Sequence, residues 1–134
     1  MRYAPCWKQI GISRDRYFEL LHFCRQYPEW KREANSMLGV RAVKVDGMPH
    51  GNGKRDPVAM AAEKRDWLLE KIRIIDDCAR SIGGGEWYAA ILQNVCIGKP
   101  YTQMDRALMP TSDKNAFFKY RREFFEVLDR KKDF

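Results

Sequence analysis

The sequence lacks the cysteine and histidine spacings that metal sites require. Its four cysteines stand at positions 6, 24, 78 and 96, so no two of them form the Cys-x-x-Cys pair of common zinc sites. The two histidines, His22 and His50, do not complete a ligand set with them. We therefore predict no metal and no other cofactor, and we expect four buried free thiols in a reducing compartment.

Long apolar segments are missing as well. Residues 1–8 contain charged and aromatic side chains where a signal peptide would carry an apolar run. No later segment approaches the roughly 20 consecutive apolar residues that span a bilayer. We therefore expect a cytoplasmic protein without membrane contact.

Groupings of catalytic side chains are also absent from the sequence. We find no pair of carboxylates, no nucleophile beside a base and no metal cluster at a working spacing. These absences argue against an enzyme and in favour of a binding protein.

Positive charge is what the chain has in excess. It carries 25 Lys and Arg against 18 Asp and Glu, a formal net charge of +7. Such an excess favours a polyanionic partner, because each cation placed at a phosphate releases counterions. Charge alone fits a solvated cationic surface equally well, and only a structural motif would distinguish the two.

Helical periodicity dominates the N-terminal region, residues 1–39. Ser13 is a good N-cap, and apolar residues from Tyr17 to Tyr27 recur at helical spacing. Pro28 breaks this helix and starts a second one over residues 29–38, which Gly39 is expected to close.

Residues 40–55 are predicted to form a flexible loop. Residues 40–45 alternate in a way that also fits one short strand, whereas residues 46–55 are rich in Gly, Pro and Asn. The Gly-x-Gly-Lys at 51–54 lacks the preceding strand and the following Ser or Thr of a phosphate-binding loop.

A long central helix is predicted over residues 56–82. Asp56 and Pro57 start it, and the glycines at 83–85 stop it. At about 1.5 Å per residue it would be about 39 Å long. We expect it to pack on the N-terminal helices, with a homodimer through the same helix as the alternative. Its apolar seam consists of Val58, Ala61, Leu68, Ile72, Ile75, Ala79 and Ile82.

Residues 86–134 are predicted to form a helix-turn-helix domain. A helix over residues 86–97 ends at Gly98, and Thr102 then caps a short helix that Pro110 terminates. Ser112 is expected to cap the last helix. Two capped helices joined by a turn are the arrangement of DNA readers, so the fold class we predict is all-α with a C-terminal helix-turn-helix.

The last helix separates an apolar face from a polar one. The apolar stripe comprises Phe117, Tyr120, Phe124, Val127 and Leu128. A second aromatic flank, Phe118 and Phe125, is expected to pack against the central helix. The outward residues bear donors that match base edges and phosphates in a major groove. The predicted DNA-binding residues are Lys99, Thr102, Ser112, Lys114, Asn115, Lys119 and Arg122.

The order of these segments resembles a known family. Tyr-Pro-Glu-Trp-Lys at 27–31, a Gly-rich loop, a long helix, Ser-Asp-Lys at 112–114 and Tyr-Arg-Arg-Glu-Phe-Phe at 120–125 look like phage transcriptional regulators of the RinA and ArpU type. The resemblance implies a helix-turn-helix similar to region 4 of sigma-70 factors, with residues 102–109 as supporting helix and 112–130 as recognition helix. The turn departs from the family pattern, because Met-Pro-Thr at 109–111 replaces the usual Gly and aliphatic residue.

The function predicted from the sequence is that of a sequence-specific, double-stranded DNA-binding regulator of phage or prophage late genes. Two alternatives use similar small helical subunits. One is a DNA-packaging or assembly adaptor similar to a small terminase subunit, which works as a ring. The other is an accessory factor that binds host RNA polymerase.

Overall fold

The computed structural model describes residues 4–42 and 57–132, with only the backbone of 38–42. Every element within these ranges is helical, which confirms the all-α prediction. The α-helices are α1 (Cys6–Ile10), α2 (Arg14–Arg25), α3 (Tyr27–Ala42), α4 (Pro57–Ser81), α5 (Tyr88–Ile91) and α6 (Lys114–Lys131). Helix α5 continues as a π-helical turn, Leu92–Cys96, and short 3-10 turns occupy Gly83–Gly85, Tyr101–Gln103 and Arg106–Leu108.

Helices α2 and α3 begin close to where the sequence predicts. The Ser13 side chain accepts a hydrogen bond from the backbone N–H of Arg16, as expected of an N-cap. Gln26 alone separates the two helices, so the break falls two residues before Pro28. The prediction that Gly39 ends α3 is wrong, because the helix continues to Ala42. One glycine inside a helix costs about 1 kcal/mol, which neighbouring helical residues can offset.

The start of the loop predicted over residues 40–55 is wrong, because residues 40–42 are helical and continue α3. The same residues begin the short strand that the alternation at 40–45 would also fit. Residues 43–56, including the rest of that strand, the loop and the Asp56 cap, lie outside the described residues.

Helices α3 and α4 pack antiparallel to each other. The Lys64 Nζ lies 2.7 Å from Glu33 Oε1, and the Tyr27 hydroxyl donates a 2.7 Å hydrogen bond to Asp76 farther along α4. Residues 57–67 of α4 contribute no buried side chain, whereas its second half buries Leu68, Ile72, Ile75, Cys78 and Ala79. The expected packing against the chain's own N-terminal helices is therefore present, with the core beginning at Leu68.

The glycines at 83–85 end α4 with a tight change of direction. All three have positive φ, between 53° and 86°, a region that side chains with a Cβ rarely adopt. At Gly83 a Cβ would lie 3.0 Å from the Trp87 ring and 3.1 Å from the Tyr120 ring. This close approach seats α5 against α6.

Helix α6 lies against α1, α2, α4 and α5. Its buried side chains are Phe117, Phe124, Phe125 and Leu128. Phe118 and Phe125, predicted to pack against the central helix, make ring contacts with other elements. The Phe125 ring lies 4.9 Å from the Tyr17 ring of α2, and the Phe118 ring 5.8 Å from the Tyr101 ring. Their packing against α4, which also lies against α6, stays a prediction.

None of the described helices combines the length and the apolarity needed to cross a bilayer.

Candidate nucleic-acid interface

The segment before α6 is not the supporting α-helix that the sequence predicts. Residues 101–108 form two 3-10 turns, with Met104 and Asp105 in extended conformation between them. Met104 is buried, and the backbone N–H of Asp105 donates to the Gln93 side chain. The Asp105 carboxylate accepts from the Ala107 N–H and so starts a second turn. These local hydrogen bonds form in place of a continuous helix. The prediction that Thr102 caps a helix is therefore wrong, since Thr102 lies inside the first 3-10 turn.

Asp113, and not Ser112, is the N-cap of α6. Its Oδ1 accepts a 3.0 Å hydrogen bond from the Asn115 N–H. An N-cap carboxylate already supplies the negative charge that a helix N-terminus attracts. We therefore do not expect a phosphate to bind at this backbone N-terminus, and phosphate contact would fall to side chains.

Tyr101 braces the 3-10 turns against the start of α6. Its ring lies 5.3 Å from the Phe117 ring, and its hydroxyl donates to the Ser112 carbonyl at 3.3 Å. The Lys114 Nζ lies 5.8 Å from the same ring. An aromatic cluster thus positions the first turn of α6, where a conventional helix-turn-helix would use a second helix.

The seven predicted site residues lie at or near this end of the molecule but do not form one cluster. Thr102 and Ser112 line a cavity of about 320 Å³ together with Arg106. Lys114, Asn115 and Arg122 line a second groove, of about 820 Å³. Lys99 and Lys119 are exposed and belong to neither lining.

On α6, the residues predicted to point outward lie together on one face of the helix. Asn115, Lys119 and Arg122 are spaced by four and three residues and therefore share a helix face. Asn115 and Lys119 are exposed and Arg122 is half-buried. Glu126, exposed one turn after Arg122, ends the run of cationic and neutral polar residues on this face.

The local charge balance is strongly positive. Residues 97–122 hold six Lys and Arg against two acids, Asp105 and Asp113. Both acids accept backbone N–H groups. Within the described part of the chain, no ion pair joins a carboxylate to the predicted cations Lys99, Lys114, Lys119 and Arg122 or to Arg106. Their charge is therefore available to an anionic partner.

Arg121 is a structural cation that sequence reasoning missed. Its Nε donates to Asn94 Oδ1 at 2.7 Å, and its Nη2 donates to the Tyr17 hydroxyl at 2.8 Å. It also lies over the Phe125 ring, 5.0 Å from the centroid. Its position three residues after Phe118 and four before Phe125 places it on the second aromatic flank, which is the signal that could have identified it.

The short helix α1 was not predicted, and it forms the far wall of the larger groove. Trp7 packs at 5.5 Å from the Tyr17 ring and 6.0 Å from the Phe18 ring. Cys6 is half-buried there; burial raises its thiol pKa, while Arg121 and Arg122 oppose that rise. Cys24, Cys78 and Cys96 are buried free thiols as predicted, and Cys6 is the partial exception.

Within the described ranges no group of His, Cys, Asp or Glu side chains is placed to hold a metal ion. Comparisons with protein-family models, with curated proteins and with solved structures found no match.

Proposed function

We propose that this protein binds double-stranded DNA through the first half of α6 and acts as a sequence-specific transcription regulator of the phage type. The observation that carries the proposal is the α6 face with exposed Asn115 and Lys119 and half-buried Arg122, whose cations have no carboxylate partner within the described residues. Such a face offers amide, ammonium and guanidinium donors to base edges and phosphates.

The mechanism places α6 in the major groove. The helix has 18 residues and is about 27 Å long, enough to cross the groove while its C-terminal half remains in the core. Asn115 and Arg122 would read base edges, and Lys99, Lys114 and Lys119 would hold the register at phosphates. The Tyr101 cluster would fix the angle of entry.

Selection from a pool of randomised duplexes, followed by fluorescence anisotropy, tests this proposal. We expect an enriched sequence to bind, and Lys119→Ala or Arg122→Ala to weaken binding about tenfold each. The slope of log K against log salt should be about −3 for the three phosphate contacts of Lys99, Lys114 and Lys119. Lys119→Ala should reduce the size of that slope by about 1.

Arg73→Ala is the matched control, because Arg73 is an exposed cation on α4 whose ion-pair partner, Glu70, is also exposed. Its duplex affinity should stay within about twofold of the unchanged protein. Absence of any enriched sequence, or equal losses in Arg73→Ala and Lys119→Ala, would reject sequence-specific reading by α6.

A second candidate function is a ring-forming packaging or assembly adaptor. It is favoured by Met60 and Trp67, which are 49% and 56% exposed and seven residues apart on α4. Large exposed apolar side chains on one helix face suit an interface between subunits. Sedimentation velocity separates the two functions, because an adaptor forms a large closed oligomer with little sequence preference, and a regulator stays a monomer or dimer.

A further inference from the structure

The groove between α1 and α6 has an aromatic lining that DNA binding does not use, beside the cations Lys114 and Arg122 that it shares with the proposed DNA-binding face. Its floor contains Trp7, Tyr17 and Phe118, and its α6 wall carries Lys114, Arg121 and Arg122. Among the residues that the structure describes, no acidic side chain contributes to the lining. At about 820 Å³ the groove lies within the range of sites that enclose a ligand, roughly 300–1,000 Å³.

We propose that this groove binds a short acidic peptide segment of a partner protein, with one bulky apolar side chain of that segment seated on the aromatic floor. The proposal does not depend on DNA binding.

Charge complementarity identifies the polar part of the partner. Lys114 and Arg122 form no ion pair with a carboxylate of the described chain. Arginine presents a planar fork that pairs with carboxylates through two parallel hydrogen bonds. The carboxylate of Glu126 also acts on Cys6 in the groove, but more weakly than Arg121 and Arg122 do. Lys114, Arg121 and Arg122 line the groove and Glu126 does not, so the lining carries a positive charge that favours acidic side chains.

The floor identifies the apolar part. Aromatic residues and arginine are the residue types most enriched at the centres of protein interfaces. Stacking of unpaired bases would need open ring faces. Here the Trp7 ring packs on Tyr17 and Phe18, and Tyr17 is also covered by Arg121 and Phe125. An aliphatic or aromatic side chain that inserts among ring edges fits this floor better than a stacked base.

The length of the wall sets the length of the segment. From Lys114 to Arg122 the helix advances about 12 Å, at about 1.5 Å per residue. An extended peptide covers that distance with about four residues, at about 3.3 Å each. A segment with one carboxylate on each side of one apolar residue would place a carboxylate at each end of the wall.

The test uses a fluorescein-labelled peptide of about eight residues, with acidic residues on both sides of a single Phe. We expect saturable binding by anisotropy, and loss of binding when Ser replaces the Phe or Lys replaces the acids. Arg122→Glu should weaken binding about tenfold or more. Lys119→Glu is the matched control, since Lys119 lies on the same helix outside the groove, and its affinity should change about twofold or less.

Cys6 supplies a second measurement that needs no substitution in the groove. It lines the groove and is half-buried, whereas Cys24, Cys78 and Cys96 are buried. The peptide should therefore slow the reaction of Cys6 with a maleimide.

Three results would overturn the peptide proposal. They are equal losses in Arg122→Glu and Lys119→Glu, unchanged labelling of Cys6 at saturating peptide, and protection of Cys6 by a single-stranded oligonucleotide but not by the peptide. Duplex binding by Lys119→Glu is measured in parallel. Failure of DNA binding would leave peptide binding and Cys6 protection intact, so the two proposals fail separately.

Discussion

Adjacent arginines in α6 have different tasks. Arg121 bonds to Asn94 and to Tyr17, and so ties α6 to the π-helical turn and to α2. Arg122 lines the groove and forms no ion pair within the described ranges. Residue type does not distinguish these two arginines, and only their surroundings do.

Substitution of each arginine should therefore affect a different property. Arg121→Ala should lower the free energy of unfolding by about 2 kcal/mol, because hydrogen bonds of a charged donor are lost and their partners are left unpaired. Arg122→Ala should change it by about 0.5 kcal/mol or less, as expected of a surface cation. Urea denaturation followed by circular dichroism measures both values. Similar losses from the two substitutions would contradict the assignment of Arg121 as the tether.

For single residues, the sequence could predict which side chains are exposed but not which hydrogen bonds they form. The spacing of Asn115 and Lys119 placed them on the face opposite the core, and both are exposed. Arg121 was missed because its acceptors, Asn94 and Tyr17, stand 27 and 104 residues away in the chain.

Short elements were predicted less well than long ones. The boundaries of α4 and α6 agree with the sequence within a few residues, and most of the periodic apolar residues in their second halves are buried. The helix expected over residues 102–109 is a pair of 3-10 turns. Helices of so few residues are marginal in isolation, so contacts such as those of Met104 and Gln93 decide their conformation.

Substitution of Asp113, the N-cap of α6, tests whether DNA approaches the start of this helix. Asp113→Asn keeps a good N-cap and removes a negative charge beside the proposed DNA-binding face. We expect unchanged stability and about threefold tighter duplex binding at low salt, with the gain lost at high salt. Anisotropy titrations at two salt concentrations measure the change.

Asp113→Ala is the companion variant, and it should cost about 1 kcal/mol of stability because the cap is lost. Unchanged duplex affinity in Asp113→Asn would indicate that DNA does not approach the start of α6.

At the scale of the whole molecule, one core joins residues from α2 to α6. It also buries titratable groups in their neutral forms. Burial raises the pKa values of Cys24 and Cys78. Burial and hydrogen bonding to Asp76 raise the pKa values of Tyr27 and Tyr88. The folded chain thus retains protons that the unfolded chain loses at the ordinary pKa values, 9.0 for a thiol and 10.0 for a phenol.

Stability should therefore decline at alkaline pH. Below pH 9.0 both states hold these protons and their contribution is constant. Above pH 9.0 the unfolded state loses protons that the folded state keeps. The free energy of unfolding therefore falls by at most about 1.4 kcal/mol per pH unit for each group that has passed its ordinary pKa. Urea midpoints between neutral and strongly alkaline pH measure the decline, and Tyr27→Phe should reduce the part of it above pH 10.0. A flat profile would mean that these groups ionise freely in the folded protein.

The sequence by itself determined the helical class, the long helices and the apolar residues that face the core. The reason is that helix periodicity and capping are local properties, readable within a few turns of chain. Only the tertiary structure decided that α1 and α6 enclose a groove, that residues 101–108 form 3-10 turns and that Arg121 is a tether. The groove and the bonds of Arg121 depend on contacts between residues distant in sequence, and the turns at 101–108 depend partly on the bond between Asp105 and Gln93, so helix periodicity did not predict them.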